Sequence, residues 1–167
     1  MEKALDVAQY IFDKYLEISG EVIDEMKLHK LLYFVQRESI AITGKPMFSE
    51  SFEGWKYGPV CRQVRGSYTR DGMFFDLPDS PKRIKPENAY IVNNIMEQYA
   101  SIESWKLSEL SHKELSWRKA RQGLAEYQSG SNLLSIEDIT KDAQKVRPYD
   151  SVWDMYYDEF EDLEVEA

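Results

Sequence analysis

The sequence predicts a mainly α protein: a single compact helical domain of about six to seven helices, with a small extended insert around residues 50–58 and 70–86. Three observations predict it. Apolar residues recur at threes and fours along most of the chain, the spacing of a helix with one buried face. Glycine, proline, serine and aspartate fall where those stripes begin and end. A length of 167 residues, 43% apolar and 31% charged, suits one soluble domain with a real core.

The elements follow in order. Lys3 to Glu17 places Leu5, Ala8, Phe12 and Tyr15 on one stripe, and Gly20 stands where that helix can stop. Asp24 is a candidate cap for a second helix, with Lys27 as its third residue. Leu28, Leu32, Val35 and Ile42 line that helix, while Tyr33 and Phe34 widen its apolar face, so it should touch more than one neighbour. Gly44 and Pro46 end it. Phe52 to Tyr57 reads as a brief extended stretch, and Gly58-Pro59 as the start of a helix running to about Tyr68. Arg70 to Pro86, with its prolines and aspartates, is a long connection or short hairpin. A helix from Glu87 carries Ile91, Ile95, Tyr99 and Ile102. Ser104 is expected to cap the next, over Trp105 to Leu110, and Ser135 begins the last of the body, to about Val146.

Two parts are expected: a helical body, residues 1–147, and an acidic aromatic segment, residues 148–167. The segment holds eight acids and no Lys or Arg, which accounts for most of the net charge of −9. The body is near neutral and neither demands nor forbids nucleic acid. One cysteine excludes an internal disulfide and fits a reducing, cytoplasmic setting. The N-terminus lacks a secretory layout, and no apolar run is long enough for a membrane helix. Metal-ligand spacings, phosphate-binding loops and nucleophile elbows do not occur, so no metal and no cofactor are expected.

The stretch SHKELSWRKAR, Ser111 to Arg121, concentrates the residues with chemical potential. Read as structure, Ser111 and Glu114 form a capping box, Ser116 caps a short helix from Trp117, Trp117 is buried and His112 ties the turn. Read as function, His112 is a general base oriented by Glu114, but residues two apart on a helix do not face each other. The structural reading is favoured. Cys61 near a helix start, with Arg62 and Arg65 beside it, could be an acidified thiol paired with His29 or His112; a buried apolar cysteine is the ordinary alternative. His29, beside Lys30, reads as a surface or boundary residue. Two small basic groups, Arg62, Arg65 and Arg70, then Lys82, Arg83 and Lys85, suit phosphate or simply a solvated face.

The C-terminal segment differs from a simple acidic tail by its aromatics: Tyr149, Trp153, Tyr156, Tyr157 and Phe160. It reads either as a last docked helix or as a partner-binding segment. In the second case Trp153, Tyr156, Tyr157 and Phe160 anchor, while Asp154, Asp158, Glu161 and Asp162 steer a basic partner.

Three motifs in order, MKLHKLLYFVQ, GKPMFSESFEGWKYGPV and LSELSHKELSW, resemble the Panacea domain, also called the SocA-like or GepA-like domain of phage-associated proteins. The likeness runs from about Lys27 to Arg118. The residues that carry it are Lys27, Leu28, Lys30, Leu31, Leu32, Tyr33 and Phe34, then Trp55, Tyr57, Gly58, Pro59 and Val60, then His112, Glu114 and Trp117. Ser111 stands where threonine is expected and Ser116 where proline is frequent; Cys61 matches no motif position. The resemblance implies a mainly helical, non-enzymatic antitoxin of a toxin–antitoxin pair, frequently carried by prophages. It further implies a cognate protein toxin bound directly, and in one relative delivery of the toxin to a protease, so a host protease is an expected second partner. Nucleic acid and membrane are not expected partners of this chain alone. Two other classes stay open: a phage inhibitor of a host or defence protein, and a Cys/His hydrolase.

Overall fold

One helix forms the axis of the fold, and among the described residues five other elements pack around it. The computed structural model describes residues 1–68 and 84–148. Among them the order is α1 (Ala4–Ser19), α2 (Glu25–Thr43), β1 (Glu53–Trp55), β2 (Gly58–Val60), α3 (Arg62–Arg65), α4 (Pro86–Tyr99), α5 (Ser104–Ser111), α6 (Leu115–Ala120) and α7 (Ile136–Gln144). Helix α2 packs against α1, α4, α5, α7 and β2. Every residue from Lys27 to Ile40 is buried, which is why its apolar face reads so wide in sequence.

Local signals set the helix ends as expected for α1, α2 and α7. Asp24 Oδ1 accepts the Lys27 amide at 2.8 Å, and Gly20 and Gly44 close their helices in the left-handed region, at φ 73° and 77°. Ser135 accepts the Asp138 amide at 3.1 Å. The mainly α expectation stands, and the insert near residue 50 is a real antiparallel hairpin, with Glu53 opposite Val60, Gly54 opposite Pro59 and Trp55 opposite Gly58. Leu133 bridges Glu53 on the other side of β1.

Two local expectations are corrected. Gly58-Pro59 does not start a helix: Gly58 has φ 122°, outside the helical region, and Pro59 sits in a two-stranded ribbon that tolerates its missing N–H. The helix begins at Arg62 and is one turn long, with Cys61 as its N-cap residue. Ser104 is the first residue of α5 rather than its cap; Glu103 holds the cap position, and the Ser104 hydroxyl donates to Asp24 Oδ2 at 2.6 Å. The expected connection at 70–86 falls mostly outside the described residues; within them, Pro86 opens α4, where a proline loses no needed hydrogen bond.

The core lies between α2 and its neighbours. Phe34 stacks on Tyr99 with ring centroids 4.6 Å apart, and Tyr33 sets its ring edgewise to Phe52 at 5.6 Å. Leu28, Leu31 and Leu32 are fully buried in one core cluster that also takes in side chains of α1, α4 and α5. Among the described residues no helix is long and apolar enough to cross a membrane.

Candidate functional site

The three sequence motifs converge on one region, where α2, the hairpin and the α5–α6 corner meet. Each contributes polar atoms that the fold buries, and the partners of those atoms decide what the region can do.

The corner is not a capping box. Ser111 ends α5, and its hydroxyl donates to the Ser108 carbonyl at 2.7 Å. Glu114 occupies the N-cap position of α6 but makes no side-chain cap. Its carboxylate is drawn inward, accepting from Tyr33 Oη at 2.9 Å and from Arg37 Nη1 at 2.6 Å. Nor does Ser116 cap a helix at Trp117, because α6 already starts at Leu115. The capping is done from a distance: Asp142 of α7 accepts the Leu115 amide at 2.7 Å and the Ser116 amide at 2.9 Å. Tyr33 Oη closes the circuit, 2.9 Å from Ser116 Oγ and 3.2 Å from Asp142 Oδ2. Arg37 Nη2 adds a bond to Tyr99 Oη at 3.1 Å.

This buried network joins α2, α4, the corner and α7. Burial pushes the Glu114 carboxyl above its ordinary value, against the pull of Arg37, with the Asp142 carboxylate adding to the rise. Burial, then the neighbouring Glu114 and Asp142 carboxylates, raises the Tyr33 phenol above its ordinary value. The network is therefore a fixed joint. Glu114 is committed to it and does not orient His112.

His112 instead stacks flat on Trp117, with centroids 4.1 Å apart and planes at 11°, and hydrogen-bonds the Lys56 backbone. Burial, followed by the charges of Lys30 and Arg121, lowers its pKa. Trp117 is half-buried rather than buried, and its indole N–H donates to the Trp55 carbonyl at 2.7 Å, pinning the corner to the hairpin.

The Cys/His pairing takes an unreactive form. His29 is not at the surface; it is 2% exposed, and its Nδ1 accepts the backbone N–H of Cys61 at 3.3 Å. The Cys61 thiol points elsewhere, to Gln63 Oε1 at 3.4 Å, and burial pushes it up rather than down. Among the described residues no cluster of three or more His, Cys, Asp or Glu could hold a metal.

The hairpin presses closely on α2. A Cβ at Gly58 would stand 2.4 Å from Lys30 Cε and 2.5 Å from Ser111 Oγ, so only glycine fits the contact. Lys30 is 1% exposed, and its amine donates to the Pro59 carbonyl at 3.3 Å. Burial lowers the amine to about 7. Lys27, also buried, is held by the Ala100 carbonyl at 2.9 Å.

Beside this contact opens a cavity of about 650 Å³. Lys30 and His29 of α2, Trp55 and Tyr57 of the hairpin, Arg62 and Arg65 of α3, and residues 129–131 are among its walls. Both arginines lie over the Trp55 ring, at 5.8 and 5.1 Å. Arg62 is also paired with Glu53 at 2.5 Å and Arg65 with Glu25. Of the two basic groups read from sequence, Arg62 and Arg65 thus belong to the cavity, Lys85 stands at the start of α4, and Arg70, Lys82 and Arg83 lie outside the described residues.

Sequence reading brought together Lys30, Trp55, Tyr57 and Val60, which do share the cavity. It missed Arg37, Asp142 and Arg121. Asp142 follows Ile139 by three on the buried face of α7, and an acid at an apolar position was the available signal. Arg121 is 6% exposed and clamps three carbonyls, Gly54, Ala125 and Gln128, which positions the loop before residues 129–131. The segment candidates Trp153, Asp154, Tyr156, Tyr157, Asp158, Phe160, Glu161 and Asp162 lie outside the described residues.

Comparison with known proteins matches this region. The sequence model of the family described as Antitoxin SocA-like, Panacea domain, matches residues 28–118. Antitoxin SocA of Caulobacter vibrioides is 33% identical over 66 residues, which cover 40% of this chain and 35% of that protein. The chain thus spans about a third of the length of the curated relative it matches. No solved structure matches it significantly. The motif residues meeting in the joint and the cavity lie almost wholly inside the matched span, and the chain belongs to the Antitoxin SocA-like, Panacea domain family.

Proposed function

We propose that this chain is the antitoxin of a toxin–antitoxin pair and neutralises its cognate toxin by direct protein–protein binding in the cytoplasm. The observation that carries the reading is the fate of the motif residues within the matched family span. They build a buried joint and the wall of an open cavity, and at the joint the polar atoms of Tyr33, Glu114 and Trp117 are spent on protein partners rather than aimed at a substrate. The Cys/His hydrolase alternative loses support from the same geometry, since the Cys61 thiol is buried, raised by that burial and hydrogen-bonded to Gln63 Oε1, while His29 Nδ1 takes the Cys61 backbone N–H.

For the binding itself we assign the acidic aromatic segment, residues 148–167, to a basic toxin surface, with its aromatics as anchors and its carboxylates as steering charges. A host protease enters as a further partner if the chain also acts as an adaptor. The test is growth of a bacterial host expressing the product of the adjacent open reading frame, with and without this protein. Arrest relieved by co-expression supports the antitoxin reading; arrest without relief, or no arrest, moves the weight to a phage inhibitor of a host or defence protein.

A further inference from the structure

The floor of the cavity holds a cation whose charge the fold leaves unanswered. Lys30 Nζ has one hydrogen-bond acceptor among the described residues, the Pro59 carbonyl, although an ammonium carries three donors. Two carboxylates stand near enough to act on it through space, Asp24 and Glu25. Both are already engaged: Asp24 by the Lys27 amide and Ser104, Glu25 by Arg65 and His29. Packing alone would favour an apolar side chain in this position. A cavity of about 650 Å³ in front of it is the size of a small-ligand site.

The walls extend the same chemistry. Trp55 and the half-exposed Tyr57 offer ring surface, and Lys56 lies over the Tyr57 ring at 5.0 Å. Among the described residues Lys56 has no carboxylate partner. The site thus pairs aromatic surface with two lysines that lack a direct carboxylate partner among the described residues, Lys30 buried and Lys56 half-buried.

We propose that this cavity binds a carboxylate carried on an aromatic or aliphatic stem, the carboxylate seated on Lys30 and the stem lying against Trp55 and Tyr57. The inference goes beyond the antitoxin reading and does not depend on it. A free organic acid and the Asp or Glu side chain of a peptide present the same chemistry, and the test separates them.

Binding should depend on pH in a defined direction. The charged and titratable groups that act on Lys30 or line its cavity are Asp24 at the cap of its helix, Glu25 and His29 from the helix itself, Tyr57 and Lys56 from the hairpin, Arg62 and Arg65 from α3, and His112 from the corner. His29 and His112 are both lowered by burial, so neither gains charge above pH 7. With its amine lowered to about 7, Lys30 must take up a proton to hold a carboxylate at higher pH.

The experiment titrates the full-length protein by calorimetry with indole-3-acetate, with its uncharged analogue indole-3-acetamide, and with a capped peptide alternating phenylalanine and glutamate. Saturable binding of indole-3-acetate, of the peptide, or of both is expected, with the acetamide failing to bind. Affinity should fall roughly tenfold from pH 6.5 to pH 8.5 as the amine deprotonates. Lys30→Met should remove binding while leaving the far-ultraviolet circular dichroism unchanged, and Lys56→Ala, at the half-buried lysine of the cavity wall, should weaken it severalfold. Binding of the indole acid alone identifies a free-acid site; binding of the peptide alone identifies a site for an acidic segment. No saturable binding of either probe, equal binding of the acetamide, or full binding by Lys30→Met overturns the proposal.

Discussion

Replacing Lys30 by methionine should make the protein more stable at neutral pH, an unusual result for a buried, hydrogen-bonded side chain. The size follows from its surroundings. The amine releases its proton near 7 instead of the usual 10.5, and that difference sets a ceiling of about 5 kcal/mol on the cost of burying it at pH 7. Relaxation of the surroundings reduces the cost, because buried sites respond as if far more polarisable than dry protein. Methionine keeps the length of the stem but gives up the bond to the Pro59 carbonyl, a loss of about 1 kcal/mol. The net expectation is a gain of about 1–3 kcal/mol for Lys30→Met at pH 7. Between pH 7 and 10.5 the unfolded chain still holds a proton that the folded chain has released, so wild-type stability rises with pH across that window. The advantage of methionine is therefore full at pH 7 and below and smaller at pH 9. Urea unfolding of both proteins, followed by circular dichroism at pH 6, 7 and 9, measures it. A variant less stable than wild type at pH 7, with a pH-independent difference, would refute the reasoning and make Lys30 a structural residue.

Asp142→Ala should cost about 3 kcal/mol, because it orphans two amides at the start of α6; a fall in melting temperature of roughly 6–12 °C would report it, and a cost below 1 kcal/mol would remove Asp142 from the joint. His112→Ala should lose about 1–2 kcal/mol through the Trp117 stack. Because burial lowers both histidines, wild-type stability should also decline as the pH drops below about 6.5, where the unfolded chain binds protons that the folded chain resists, and His112→Ala should shrink that decline. Reversing Asp154, Asp158, Glu161 and Asp162 to lysine should weaken toxin neutralisation and flatten its salt dependence; unchanged binding across salt would sink the steering role.

Much of the fold was legible because its signals are local. Asp24, Gly20, Gly44 and Ser135 act within a few residues of themselves, and each stands where its pattern indicates. The corner misled for the opposite reason. Ser111 and Glu114 have capping-box spacing, but the amides of α6 are taken by Asp142, which lies 27 residues beyond Leu115, and Glu114 is claimed by Arg37 and Tyr33 of α2. A long-range partner can outbid a local one, and spacing rules see only the local one. Gly58-Pro59 failed similarly, since a proline after glycine suits a helix start or an edge strand, and the contact with Lys30 and Ser111 decides between them. His29 was misread because a charged neighbour suggested solvent, whereas Lys30 is itself buried. Of the candidate site, the motif residues of the cavity wall could be named in advance; the cavity could not, because it is shaped by Arg121 holding a loop more than sixty residues from the hairpin.

The central claim, neutralisation by direct binding, is tested most directly with purified components: the product of the adjacent reading frame titrated into this protein by calorimetry at pH 7.5, with the mixture then passed over a sizing column. The account predicts a saturable complex that co-elutes and weakens as salt rises. Relief of growth arrest in cells with no complex between the purified proteins would contradict it.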